Sequence, residues 1–208
     1  MQGSGADLAV VLVRHGATAW NENRYCQGRR DVPLSARGRM QAGHLRDALS
    51  GVRFARAFSS PLVRAVETAR TIGVEPAILP DLVELDRGHW EGHPMDEVRR
   101  RWVKLHEAWY RDPTGLAMPG GEAFDALWER AARVLETLRG PGGPVLASGH
   151  KAINRAIVAR ALGRTPRDVW AIAQPQACRT LLLLSGDRWT AETIGDASHL
   201  PEPLRSED

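Results

Sequence analysis

Leu8-Ala-Val-Val-Leu-Val13, running straight into Arg14-His15-Gly16, is the stretch that decides the fold. Six apolar residues in a row, three of them valine, show no polar alternation. That pattern belongs to a strand buried on both faces, the kind found in parallel sheets. Working outward, Ser35 reads as the N-cap of a helix with Leu45, Ala48 and Leu49 on one face. Phe54-Ala-Arg-Ala-Phe-Ser59 is a second strand. Ser60-Pro61 reads as N-cap and first helical residue, since proline's missing N–H costs nothing there. Ala77-Ile-Leu79 is a third, short strand, and residues 94–111 an Arg-rich helical excursion. Phe124, Leu127, Ala131, Val134 and Leu138 mark a long amphipathic helix, stopped by the turn Gly140-Pro-Gly-Gly-Pro144. Val145-Leu-Ala147 is a fourth strand, leading through Ser148-Gly149-His150 into a helix. Thr180–Leu184 and Trp189–Ile194 flank a hairpin turn.

Strand and helix alternate, so the expected fold class is α/β, a three-layer αβα sandwich around a mainly parallel sheet of about six strands. Residues 1–208 make one domain, with a helical, lid-like excursion at about 93–118. In such sheets ligands sit beyond the carboxyl ends of the strands. Three polar clusters fall there: Arg14-His15-Gly16, Ser59-Ser60 with Arg64 on the next helix, and Ser148-Gly149-His150.

The 208 residues hold 43% hydrophobic and 25% charged side chains, enough for a buried core and too apolar for a disordered chain. Of the 28 basic residues only Lys104 and Lys151 are lysine. The pI near 9.3 invites a nucleic-acid reading. A net +3 without a concentrated basic stripe argues against it, so no nucleic-acid partner is expected. Cys26 and Cys178 form no CxxC and no zinc spacing, which suits a reducing compartment. The N-terminal residues lack a basic stretch with a cleavage site, and the apolar run is far short of the roughly 20 residues a membrane span takes. A soluble, cytoplasmic protein with no membrane partner is the expectation.

An arginine fork matches phosphate oxygens. Two arginines and a protonatable histidine around one point make an oxyanion clamp, and a second histidine there can act as nucleophile or base. Gly16 permits a sharp turn and would leave its amide open to an anion. Helices starting after Ser60 and Ser148 bring positive ends to the same place. No Walker A pattern exists, so the site is not of the P-loop kind.

With these residues set out, Val13-Arg14-His15-Gly16-Ala17-Thr18-Ala19-Trp20-Asn21 resembles the signature of the histidine phosphatase superfamily, the phosphoglycerate mutase-like enzymes. The resemblance continues in order through Gln27-Gly28, Asp31, Pro33-Leu34-Ser35, Gly38 and Gln41-Ala42. It returns at Ser59–Ala65 with Glu67-Thr68-Ala69, at Leu82-Val83-Glu84, and at Gly88-His-Trp-Glu-Gly92. Pro119-Gly-Gly-Glu122 and His150 with Asn154-Arg155 complete it. The resemblance implies His15 as the nucleophile that takes up a phosphoryl group. It implies Arg14, Arg64 and His150 as the clamp on phosphate, and Glu84 as the acid that protonates the leaving alkoxide and then helps activate water. Asn21 would hold phosphate oxygens, with Gln27 and Gly28 bordering the site. No metal and no cofactor are implied.

Chemistry agrees, because an attacking imidazole must be neutral and a neighbouring guanidinium disfavours its protonated form. Glu84 has rivals in Asp86 and Glu91, and Glu122 is expected to cap the helix beginning near Ala123. His89 and His93 flank Glu91 in a loop, an unpromising zinc pair. Of Arg99, Arg100 and Arg101, at most one or two can face a substrate. Trp102, Trp109 and Trp128 are read as packing, Cys26 as an oxidisable thiol near the pocket, and Cys178 as buried and inert.

Compared with cofactor-dependent phosphoglycerate mutases, the segment from Gly92 to Pro119 is short, and Gln27 stands where those enzymes prefer a small hydroxyl residue. The expected function is therefore a metal-independent phosphatase, a phosphoric monoester hydrolase of small phosphorylated metabolites working through phosphohistidine. The pattern resembles broad-specificity phosphatases, α-ribazole phosphatases and metal-independent phosphoserine phosphatases. A mutase-type phosphotransferase and a catalytically inactive binding protein on the same fold are the alternatives. Small enzymes of this kind often form homodimers.

Overall fold

A computed structural model describes residues 6–140 and 142–205. Pro141 of the expected turn lies outside the described residues, as do the first five residues and the last three. In chain order the elements are β1 (Leu8–Arg14), α1 (Ala19–Glu22), α2 (Ala36–Leu49), β2 (Arg56–Ser59), α3 (Val63–Ile72), β3 (Ala77–Ile78), α4 (Met95–Arg101), α5 (Val103–Arg111), α6 (Phe124–Leu138), β4 (Val145–Gly149), α7 (Lys151–Ala161), β5 (Arg179–Ser185) and β6 (Arg188–Asp196). The strands form one sheet in the order β3-β2-β4-β1-β5-β6. The four strands from β3 to β1 run parallel, while β5 and β6 are antiparallel neighbours.

β1 is buried on both faces, and its alternation shows how. Val10 and Leu12 pack into the larger apolar cluster with Leu127, Ala131 and Val134 of α6 and Ile153 and Ile157 of α7. Val11 and Val13 pack into a second cluster with Leu45 and Leu49 of α2 and Ala69 of α3. Each fully buried valine of this kind contributes about 1.5–3 kcal/mol. The sheet therefore carries helices on both sides, an αβα sandwich. Trp109 is fully buried and meets Phe124 edge-on, while Trp128 stacks on Phe124 and Trp102 lies against Trp90, the packing roles expected of them.

Two local expectations are overturned. α3 begins at Val63, not at Ser60-Pro61, and Leu62 is its N-cap with no side-chain cap bond. The Val63 N–H is instead capped by Asp31, from a loop 32 residues earlier, at 2.8 Å. Glu122 does not cap α6, whose N-cap Ala123 lacks any side-chain bond. It forms a two-pronged, largely shielded pair with Arg130 at 2.8 and 2.9 Å. Arg130 also donates to the Asp81 and Val83 carbonyls and so pins the loop that carries Glu84.

Candidate active site

β2, β4 and β1 are adjacent and parallel, so their carboxyl ends lie together at one edge of the sheet. The ladder continues one step past each strand: the His15 N–H donates to Gly149 O at 3.1 Å, and the Ser60 N–H to Ser148 O at 3.0 Å. Three loops remote in sequence are thereby held side by side. His15 is 3% exposed, Arg64 1% and His150 fully buried.

The His15 ring is oriented from both nitrogens. Nδ1 lies 2.7 Å from its neighbour's carbonyl, Gly16 O, which can only accept. Nδ1 is therefore the protonated nitrogen, and Nε2 carries the lone pair. Nε2 receives the Arg64 Nε–H at 3.3 Å, which fits the same tautomer. Burial pulls the imidazole pKa well below its ordinary 6.5, and Arg64 and Arg14 lower it further. The His150 ring lies 5.0 Å from that of His15 and is likewise held neutral, by burial and then by Arg64. Its Nε2 pairs with the Ser60 hydroxyl at 2.7 Å. Its Nδ1 is buried without a hydrogen-bond partner among the described residues.

Arg64, the second residue of α3, is locked by two carbonyls: Nη2 donates to Gly28 O and Nη1 to Arg30 O, both at 2.8 Å. Burial lowers its pKa to about 10 against the pull of Glu84 and Asp31, so it stays charged at neutral pH. Arg14 donates to the Gln174 backbone carbonyl. The loop 28–30 that holds Arg64 is shaped by Glu91. Its Oε1 accepts the Arg29 N–H at 2.8 Å and the Arg87 N–H at 3.1 Å. Gly28 has φ 52°, and a Cβ there would run into the Glu91 carboxylate, so this position requires glycine.

Glu84, not Asp86 or Glu91, lines the cavity beside His15. Both its carboxylate oxygens accept from the Ala152 N–H at the start of α7, at 3.1 and 3.2 Å. Asp86 instead caps the Gly88 N–H. Asn21 and Gln27 also line the cavity. The Asn21 carbonyl accepts from Thr18, in a capping box that begins α1. Gln27 Oε1 accepts from Thr18 Oγ1 at 2.9 Å, while its Nε2 is buried with no acceptor among the described residues. The Gly16 amide is not open to an anion, because it donates to Thr68 Oγ1 at 3.2 Å. A Cβ on Gly16 would collide with the Gly38 carbonyl, so close packing against α2 is what this glycine serves. Cys26 lines the cavity as expected, but burial pushes its thiol up to about 11, which removes the thiolate that easy oxidation needs.

The cavity measures about 450 Å³ and is lined also by Arg24, Arg87, Arg99, Tyr110 and Lys151. Of the three successive arginines, Arg99 alone reaches it, in keeping with their different helical directions. Reading the sequence missed Ser60 as the partner of His150, and missed Arg24, Arg87 and Lys151. The one available signal was the placement of Lys151 directly after His150. Arg87 keeps its charge although burial opposes it, with a hydrogen bond to Tyr110 and the Glu84 carboxylate holding its pKa up.

A site of two buried neutral imidazoles and two arginines at the carboxyl edge of a parallel sheet defines a class, and the chain belongs to the histidine phosphatase superfamily (branch 1), whose family model matches residues 10–197. It is 32% identical over 202 residues to phosphoglycerate mutase-like protein 4 of Arabidopsis thaliana, covering 93% of this chain and 87% of that one. It is 28% identical to phosphoserine phosphatase 1 of Hydrogenobacter thermophilus, covering 94% and 95% of the two. The solved structure of YhfR from Bacillus stearothermophilus superposes with a TM-score of 0.85 at 29% identity, over 92% of this chain and 98% of that one. No described helix is long and apolar enough to cross a membrane.

Proposed function

We propose that this chain is a metal-independent phosphatase that hydrolyses small phosphate monoesters through a phosphohistidine. The observation that carries the reading is His15 itself: Nδ1 fixed on Gly16 O, the ring neutral, and the Nε2 lone pair beside the Arg64 guanidinium. In this reading Nε2 attacks phosphorus as the bond from phosphorus to the ester oxygen breaks. Arg14 and Arg64 offset the charge on the equatorial oxygens, and the neutral His150 ring takes part through hydrogen bonding. Glu84 gives its proton to the departing alkoxide and, as carboxylate, takes one from the water that then attacks phosphohistidine. Inorganic phosphate and free His15 result. The buried, unpartnered donor Gln27 Nε2 in the cavity wall supports an oxygen-rich ligand there.

Replacing His15 with Ala abolishes turnover of para-nitrophenyl phosphate, and a chelator leaves the native rate unchanged. Turnover in H15A, or loss on adding chelator, sinks the mechanism. Incubating 3-phosphoglycerate with and without its bisphosphate tests the mutase alternative: the phosphatase reading expects inorganic phosphate in both cases and no isomer.

A further inference from the structure

His15 Nδ1 keeps its proton because it faces the Gly16 carbonyl at 2.7 Å, so whatever fixes that carbonyl fixes the tautomer. The Gly16 carbonyl and the Ala17 N–H belong to one planar peptide unit and turn together. The Ala17 N–H donates to Gln41 Oε1 at 2.8 Å. Gln41 lies in α2, is fully buried, and donates from Nε2 to Leu204 O at 2.7 Å. An N–H can only donate and a carbonyl can only accept, so these two partners leave the Gln41 amide one orientation. Leu204 is itself held against α2, since the next carbonyl, Arg205 O, accepts from Arg37 at 2.9 Å. The peptide units on either side have their own anchors. The Gly16 N–H donates to Thr68 Oγ1 at 3.2 Å, and Ala17 O accepts from the Ser35 N–H at 3.0 Å. Gln41 takes the unit between them, the one that meets the His15 ring.

We infer that Gln41 is a positioning residue: by anchoring the Gly16–Ala17 peptide it makes the Gly16 carbonyl a fixed acceptor for His15 Nδ1–H, and so leaves the lone pair on Nε2. Its part in turnover rests on the phosphatase reading, whereas the tautomer is a property of the free protein. Without the anchor the peptide unit can rotate, the carbonyl leaves the ring, and the neutral imidazole returns to a mixture of its two tautomers. In the Nε2–H form the atom beside Arg64 Nε carries a proton where the attack on phosphorus needs a lone pair. The bond from Ala17 to Gln41 also polarises the peptide, which strengthens the Gly16 carbonyl as an acceptor. Loss of Gln41 leaves Arg14 and Arg64 to hold phosphate, so it acts on kcat more than on KM.

The test reads the His15 ring directly, by long-range proton–nitrogen NMR of the whole protein with labelled histidine, at about pH 7.5 where the ring is neutral. His15→Asn assigns the signals by their absence. Wild type is expected to show one tautomer, with the proton on Nδ1. Gln41→Met keeps the side-chain length without the amide, and Gln41→Asn keeps the amide one methylene short of Ala17. In each of these that circular dichroism shows to be folded, the Nε2–H form is expected to rise to about four-fifths of the population. In step with it, kcat for an aryl phosphate is expected to fall about fivefold while KM changes less than about twofold. Gln41→Glu retains an acceptor for the Ala17 N–H and is expected to restore the Nδ1–H form and most of kcat. A single Nδ1–H tautomer in a folded Gln41→Met or Gln41→Asn protein overturns the inference, as does a Gln41→Glu protein that restores nothing. Unfolding of both Gln41→Met and Gln41→Asn assigns Gln41 to stability alone and overturns it too. A tautomer that depends on Gln41 in a protein without turnover rejects the phosphatase reading alone, and turnover with a tautomer indifferent to Gln41 rejects the positioning role alone.

Discussion

Gly28→Ala tests how Arg64 is held. The new Cβ meets the Glu91 carboxylate, in a backbone at φ 52° that favours glycine. The variant is expected to lose about 1–3 kcal/mol in denaturant unfolding. Because Gly28 O fixes Arg64 Nη2, kcat/KM for an aryl phosphate is expected to fall at least tenfold as well. Glu91→Gln is a milder version of the same change: the carboxylate that accepts two backbone N–H groups becomes a neutral amide, and a stability loss of about 1–2 kcal/mol is expected. Wild-type stability and kinetics in both variants would show that Glu91 does not shape the site. At this scale the chain order of Arg14, His15, Arg64, Glu84 and His150 was legible from motifs. The partner of each was not: Ser60 reads as a helix cap and Glu122 as another, but Ser60 pairs with the remote His150, and Glu122 bonds to Arg130 within α6 and to the remote Arg29.

α7 begins where Glu84 ends up, and the pairing has two separable consequences. As an acceptor for the Ala152 N–H, the carboxylate supports the helix start; as an acid, it serves the proposed chemistry. Glu84→Gln retains an acceptor oxygen and is expected to melt within about 1 kcal/mol of wild type while losing most turnover. Glu84→Ala loses both roles and is expected to cost about 1 kcal/mol more, the usual worth of an N-terminal acceptor. Equal melting of the two variants would remove the capping role. Strand and helix periodicity revealed nearly every element, because buried faces impose their spacing on sequence. Helix starts were less legible: Ser35 caps its own helix, whereas α3 takes its cap from Asp31, a bond that exists only after folding.

For the whole molecule, His15 and His150 couple stability to pH. Both are held neutral in the fold, with pKa values well below 6.5, whereas the unfolded chain protonates them near that value. Below about pH 6.5 the unfolded state therefore binds more protons, and stability falls as pH falls toward the folded values. Each contributes a slope of up to about 1.4 kcal/mol per pH unit in that window and nothing above it. Unfolding free energies measured from pH 7.5 to 5 are expected to decline, and His15→Asn to decline less steeply; identical slopes would refute the assignment. For the same reason, in the proposed mechanism the acid limb of kcat/KM from the His15 imidazole is expected below the ordinary histidine range. By itself, the sequence determined the layers of the fold, the family and the set of residues proposed to face phosphate, since these follow from local periodicity and from motifs whose order the chain preserves. Only the tertiary structure decided the tautomer of His15, the carbonyls that lock Arg64, the presence of Glu84 rather than Asp86 or Glu91 in the cavity lining, and the gathering of Arg24, Arg87, Arg99 and Lys151 around one cavity. Those depend on which distant backbone and side-chain atoms come within about 3 Å of each other, a result of packing that no stretch of the chain specifies alone.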